Sequence, residues 1–314
     1  MAKKLFGGIF FLLIVLLALV AAMNWLAPMA TAQLLRSVSR ATAGLEAKSI
    51  AIQGRTFPYL MGGSGEPLVL VHGFTANKDI WDSAARYLTP RYAVYAPDLP
   101  GFGDASRDPN ADYSYDAQVE NLHAFIQGLG LKRFHLGGSS MGGGVAALYA
   151  ARYPQEVASL WLLDAAATRE VGDSELMKRY DATGEFPLLV KTQEQQIKKL
   201  DLVFGHPKFV PYAVVYALTE AARKDFDLHS RILKTLRRSA PIESRYANLQ
   251  TPTLIVTGDL DRIVPPAAVR TLAKVFPRSE IKVMSGLGHT PMVEAPGMTD
   301  DDYLAFRMAL PKTP

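Results

Sequence analysis

"HLGGSSMGGG", residues 135–144, packs five glycines and two adjacent serines into ten positions. Glycine loses more backbone entropy on folding than any other residue, so such a cluster must serve a particular backbone geometry. "RFHLGGSS" (133–140) reads as a buried strand and "MGGGVAALYAARYP" (141–154) as a helix. The junction spells Gly138-Ser139-Ser140-Met141-Gly142, the pattern G-x-S-x-G in a strand–turn–helix context. A turn that tight strains the backbone of Ser140 and requires small neighbours. The helix that follows points its N-terminus at the serine, where N–H groups and the helix dipole favour an oxyanion. A Walker-type phosphate loop would end in Gly-Lys-Ser/Thr, and a dinucleotide fingerprint would read G-x-G-x-x-G at the first strand. Neither is present. A flexible linker is excluded by the buried strand that runs straight into the cluster.

A serine hydroxyl is a weak nucleophile and needs a base that an acid orients. In this setting the chain order is Ser, acid, His. Three histidines follow Ser140. His206 and His229 fall in a helical region and read as solvated surface residues, whereas His289, in "SGLGHTPMVE", directly follows the last apparent strand and takes the base role. Asp261, in "VTGDLDRIVP", is the expected acid. Asp259 lies nearer its strand and suits the turn itself, and Asp164, ending "LWLLD", is the rival position. The oxyanion donors expected are the backbone N–H groups of Met141 and of Phe74, in the loop after "LVLVHGF". His72 in that loop and Asp98 in "PDLPGFGD" read as structural loop residues.

Around this centre, strands alternate with helices. "SIAIQGRTFPYLMGG" reads as a hairpin, and "GEPLVLVHGF", "RYAVYAP", "VASLWLLDAA", "TPTLIVTGD" and "SEIKVM" read as further strands. Helical patterns separate them, which argues for a mostly parallel sheet covered on both faces. From about Thr168 to Asn248 only helical patterns occur, among them "YAVVYALTEAARKDF" and "HSRILKTLRRS". The expected organisation is a core of residues 45–167 and 249–312 with a helical cap at 168–248, set over the sheet edge where such folds bind ligands. Residues 33–44 read as a loose stretch.

The chain has 314 residues, 49% of them hydrophobic and 20% charged, with no cysteine and a formal charge of +4. That composition is globular. Disulfides and thiol catalysis are excluded, and without a run of basic residues so is a nucleic-acid partner. Residues 1–32 differ from the rest. Lys3 and Lys4 precede an uncharged run from Leu5 to Met23, and no further Lys or Arg occurs until Arg36. Such a run is long enough to span a bilayer, with the N-terminus in the cytoplasm and everything after it on the far side. Ala30-Thr31-Ala32 is a candidate signal-cleavage site after the helix-breaking Pro28. Either a membrane anchor or a secreted or periplasmic product follows, and "QLLRSVSR" (33–40) could lie along the headgroups.

"VHGFTANKDIW", "PDLPGFGDAS", "GGSSMGG", "GDLDRIVP" and "GHTPMVE", in this order, resemble the α/β-hydrolase superfamily. "HTPMVEAPGMTDDDYLAFRMAL" is similar to the C-terminal segment of bacterial lipases of the Moraxella and Psychrobacter type. The hydrophobic leader with HGF and SMGG also resembles membrane-anchored monoacylglycerol lipases. The resemblance implies an eight-stranded α/β-hydrolase sheet and a triad of Ser140, Asp261 and His289, with Phe74 and Met141 at the oxyanion hole. It further implies hydrolysis of acylglycerols or other apolar acyl esters at a membrane surface, without a cofactor or metal. Haloalkane dehalogenases and epoxide hydrolases carry an aspartate where Ser140 stands. Carbon–carbon bond hydrolases and cofactor-free perhydrolases keep the serine and remain the alternative, as does an inactive binding module.

Overall fold

The computed structural model describes Phe6, residues 21–52 and residues 54–310. Apart from Phe6 and residues 21–23, the expected Leu5–Met23 span lies outside the described residues. Among these, no helix is long and apolar enough to cross a membrane.

Eight strands form one sheet: β1 (Leu45–Ile52), β2 (Arg55–Gly62), β3 (Glu66–Val71), β4 (Tyr92–Pro97), β5 (Phe134–Ser139), β6 (Val157–Leu163), β7 (Thr253–Gly258) and β8 (Ser279–Met284). Their order is β1-β2-β4-β3-β5-β6-β7-β8. β2 runs antiparallel to both neighbours, and all other pairs are parallel. The hairpin starts at Leu45 rather than at Ser49. From β3 the chain steps one way to β4, then crosses back to place β5 on the other side of β3. That reversal opens a crevice beyond the carboxyl ends of β3 and β5, the usual ligand position in such sheets.

Strands covered on both faces read as continuous apolar runs. β6 shows why: Leu160 and Leu162 enter one buried layer, Trp161 and Leu163 the other. Helices α3 (Tyr115–Gly128), α4 (Met141–Arg152) and α9 (Ala267–Val275) cover the first face, where Phe125, Val145 and Leu272 are buried. α2 (Asp82–Leu88), α10 (Pro291–Glu294) and α11 (Pro296–Ala309) cover the second, with the Trp161 ring stacked on Tyr303 at 4.5 Å.

Between β6 and β7 the regular structure is helical: α5 (Arg169–Gly172), α6 (Glu175–Thr183), α7 (Gln193–Val203), α8 (Tyr212–Arg237) and a 3-10 turn at Ile242–Ser244. The two helical patterns in 212–239 form a single helix of 26 residues, α8, because no glycine or proline interrupts them.

The stretch before β1 is not loose. Pro28–Thr42 form α1, with Pro28 in the first turn, where its missing N–H leaves no intrahelical bond unmade. The domain boundary expected at residue 32 therefore falls inside a helix. Thr31 Oγ1 donates to the Met23 and Ala27 carbonyls across the break at Ala27. Trp25 stacks on Tyr212 at 4.2 Å, and Asn24 Oδ1 accepts the N–H of Ala213, one of the free donors at the start of α8. Arg40 Nε donates to Asp79 Oδ1 at 2.6 Å. These contacts lie far apart in sequence and have no local periodicity to announce them.

Candidate active site

Ser140 stands between β5 and α4 with φ 56° and ψ −121°. A non-glycine residue in this region costs about 1–3 kcal/mol and persists only where its surroundings hold it. Here the Ser140 N–H donates to Leu163 O at 2.9 Å, and its carbonyl accepts from Gly144 N and Ala166 N. The glycines of G-x-S-x-G allow the chain to pass this closely. A Cβ on Gly138 would sit 2.2 Å from Gly142 O, and one on Gly142 would sit 2.3 Å from Val71 O. As the first residue of α4, Met141 has an N–H with no intrahelical acceptor. The loop after β3 runs alongside: a Cβ on Gly73 would lie 3.7 Å from Ser140 Oγ. Phe74 follows, its ring packed against Phe102, Phe186 and His229.

His289 Nδ1 pairs with Asp261 Oδ2 at 2.9 Å. The other Asp261 oxygen accepts the N–H groups of Ile263 and Val264. Burial pushes the Asp261 carboxyl upward, but the His289 ring and these donors outweigh it and hold Asp261 below the usual carboxylate range. Asp164 behaves oppositely. Burial, reinforced by the adjacent Asp261 charge, lifts it well above that range. Asp164 Oδ1 accepts from Thr257 Oγ1 and Gly258 N, and a protonated Oδ2 is free to donate to Asp261. Polar atoms of Asp164, Asp261 and His289 lie within 4.8 Å of one another, close enough to hold a metal ion. The bonds just described already engage the His289 Nδ1, both Asp261 oxygens and Asp164 Oδ1, which fits a hydrogen-bonded relay. Ser140 joins the group through the backbone, since its N–H binds the residue before Asp164. Among the described residues no hydrogen bond joins Ser140 Oγ to His289 Nε2; such bonds often tighten only with substrate.

The competing residues are engaged elsewhere. Asp259 accepts from Ser285 Oγ and Gly286 N and closes its own turn. His72 is fully buried, with Nε2 accepting from Leu99 N and Nδ1 against Gly73 O, so neither ring nitrogen is available. Asp98 binds Lys78 through both N–H and Nζ, and also Asp104 N. His206 is exposed in the bend after α7. His229 corrects the surface reading. It is buried, stacked on Phe102 at 5.0 Å and in contact with Gly101 O, because that face of α8 closes on the loop after β4.

Sequence reasoning missed Glu294. Its carboxylate accepts the N–H groups of Gly288 and Thr290, on either side of His289, and that of Gly205 after α7. It therefore fixes the His289 loop against the insert. The available signal was a glutamate five residues after the histidine in "HTPMVE".

Sheet order, elbow and loops agree with a known family: the alpha/beta hydrolase fold matches residues 66–296. The chain belongs to the α/β-hydrolase family. This hydrolase is 37% identical over 287 residues to Lipase 1 of Psychrobacter immobilis, covering 89% of this chain and 90% of that protein. It is 30% identical to the monoacylglycerol lipase ABHD6 of Rattus norvegicus over 85% of this chain and 84% of the relative. A solved structure described as a membrane phospholipase A superposes with a TM-score of 0.86 at 38% identity, covering 98% of both chains. With these relatives, the α/β hydrolase is a carboxylic ester hydrolase of the serine type.

Proposed function

We propose that Ser140, His289 and Asp261 hydrolyse apolar acyl esters of the lipid type through an acyl-enzyme. The observation that carries this reading is the Asp261–His289 pair at the sheet edge where the strained Ser140 emerges. Ser140 Oγ attacks the ester carbonyl carbon and gives its proton to His289 Nε2. Asp261 holds Nδ1–H and balances the imidazolium. The carbonyl oxygen becomes an oxyanion facing the N–H groups of Met141 and Phe74, each worth about 3–4 kcal/mol in the transition state. Collapse expels the alcohol, which takes the proton from His289. Water then repeats the sequence on the acyl-enzyme and releases the free acid. No cofactor enters these steps.

The apolar cluster of Met177, Phe186, Leu188, Leu233 and Ile263 packs beside Phe74, between insert and sheet, and suits an acyl chain. The relatives named lipase and phospholipase support a lipid ester as substrate. Exposed Leu26, Leu34, Leu35 and Val38 support work at a membrane surface. The N-terminal lysines and the uncharged run support a place outside the cytoplasm, either anchored or released by cleavage near Ala32. Purified protein is tested on p-nitrophenyl esters of increasing chain length and on mono- and triacylglycerol. Turnover abolished by an organophosphonate that labels Ser140 is expected; no turnover of any ester sinks the reading. N-terminal sequencing separates the two fates of the leader: a start near Gln33 rules out the anchor.

A further inference from the structure

Helix α7 reaches both halves of the active site. In its last turn Val203 O accepts the N–H of His289 at 2.8 Å. Lys199 lies four residues earlier and so on the same helix face. Its Nζ donates to Thr75 Oγ1 at 2.7 Å. Thr75 follows Phe74 in the oxyanion loop and takes φ 56°, a conformation β-branched residues rarely adopt.

This ammonium is in an unusual position. Its neighbour Lys198 is exposed and paired with Glu194. Lys199 has only a neutral hydroxyl as partner among the described residues, and burial brings it down to about 8. His229, facing it from α8, is pushed down to about 4 by its own burial and adds no balancing charge. A half-buried cation held without a counter-charge is costly, and an arriving anion would relieve that cost. The leaving alcohol must approach His289 to collect its proton, and the His289 backbone is tied to the last turn of α7. The acyl chain has the apolar cluster instead.

We propose that Lys199 is a specificity-determining residue that receives an anionic group on the alcohol part of the substrate, namely the phosphodiester of a glycerophospholipid. The proposal rests on the ester-hydrolase reading of Ser140. Two substrates with the same acyl chain test it, monodecanoylglycerol and decanoyl-lysophosphatidylglycerol, both below their micellar concentrations with the full chain. The quantity read is the ratio of kcat/KM for the anionic over the neutral ester. Lys199→Met should lower this ratio by about tenfold or more, the worth of one charge-assisted hydrogen bond, and Lys199→Arg should restore most of it. Any general loss from a displaced Thr75 cancels, because both substrates use the same oxyanion loop. The wild-type ratio should fall as pH rises through about 8, where Lys199 loses its charge, and should be flat in Lys199→Met. His229 is neutral throughout that range, and His289 serves both substrates alike. Equal losses on both substrates, or an unchanged ratio, would reduce Lys199 to a support for Thr75 and overturn the proposal. If the wild type turns over neither ester, the ester-hydrolase reading has failed, and this proposal with it.

Discussion

The segment that carries Ser140 and the helix that lies over it are built on opposite terms. From Phe134 to Ala150 every residue is buried, and the glycines at the turn sit against backbone carbonyls. In α7 Gln196 alone is buried, and the helix is held by its last turn and by long side chains. Close packing leaves Ser140 one position. A half-exposed helix can shift or change composition at little cost in stability. Under the proposed function, the sheet supplies the bond-making geometry and the insert the choice of substrate.

The largest expected effect breaks the rigid half. Ser140→Ala should lower kcat by several orders of magnitude with the thermal midpoint unchanged, while Ser139→Ala costs far less. Comparable losses from the two would mean that the elbow presents the wrong serine. Next comes the acid. Asp261→Asn should cost about 10⁴-fold in kcat, because the imidazole loses its tautomer and its counter-charge. Asp164→Asn should be mild, since an amide keeps a donor where the protonated carboxyl has one. If Asp164→Asn is the more damaging, the roles are reversed.

The packing contrast itself is tested by stability. Gly142→Ala places a methyl 2.3 Å from Val71 O, an overpacking that should cost about 1–3 kcal/mol or more in denaturant unfolding. Ile197→Ala, on the exposed side of α7, should leave the midpoint nearly in place. Equal effects would erase the distinction between the two regions. In the insert, kcat/KM should rise about fourfold for each methylene that the apolar cluster buries, from about 0.8 kcal/mol per CH₂. A maximum at acetate would contradict an acyl pocket there.

The smallest effect compares one buried histidine from each region. Burial pushes both His135 in β5 and His229 in α8 down to about 4. An unfolded histidine titrates near about 6.5, so the unfolded chain binds more protons between those values. Stability should therefore rise with pH across that window and be lost as pH falls through it. His229→Gln, which keeps a donor for Gly101 O, should reduce the slope of Tm against pH between about 4 and 6.5, with the share from His135 remaining. An unchanged slope would show that His229 is not neutral in the folded protein.

What could be read without coordinates was local. The strand–helix alternation follows from apolar runs of strand length and from helical periodicity, and the elbow follows from glycines spaced around one serine. The order Ser140, Asp261, His289 needed only the ends of β5, β7 and β8. Two elements escaped. α1 lacks a face that buries in the core, and Leu34, Leu35 and Val38 are exposed. His229 belongs to a helix whose pattern does not reveal that it closes on the loop after β4.

The sequence by itself determined the fold class, the strained serine and a short set of partners, because each rests on neighbours within one turn or one strand. Tertiary structure supplied the partners behind the choice between two aspartates: Asp259 is spent on Ser285 and Gly286, while Asp261, two residues on, is aimed at His289. It alone placed Asp164 beside that carboxylate, Glu294 under the His289 loop, and the Lys199 ammonium on Thr75, 124 residues away in the chain. These are electrostatic and hydrogen-bonded contacts between segments that meet only after the sheet has closed and the insert has docked. Periodicity carries no trace of them, since a charge's partner is set by distance in space and not by spacing along the chain.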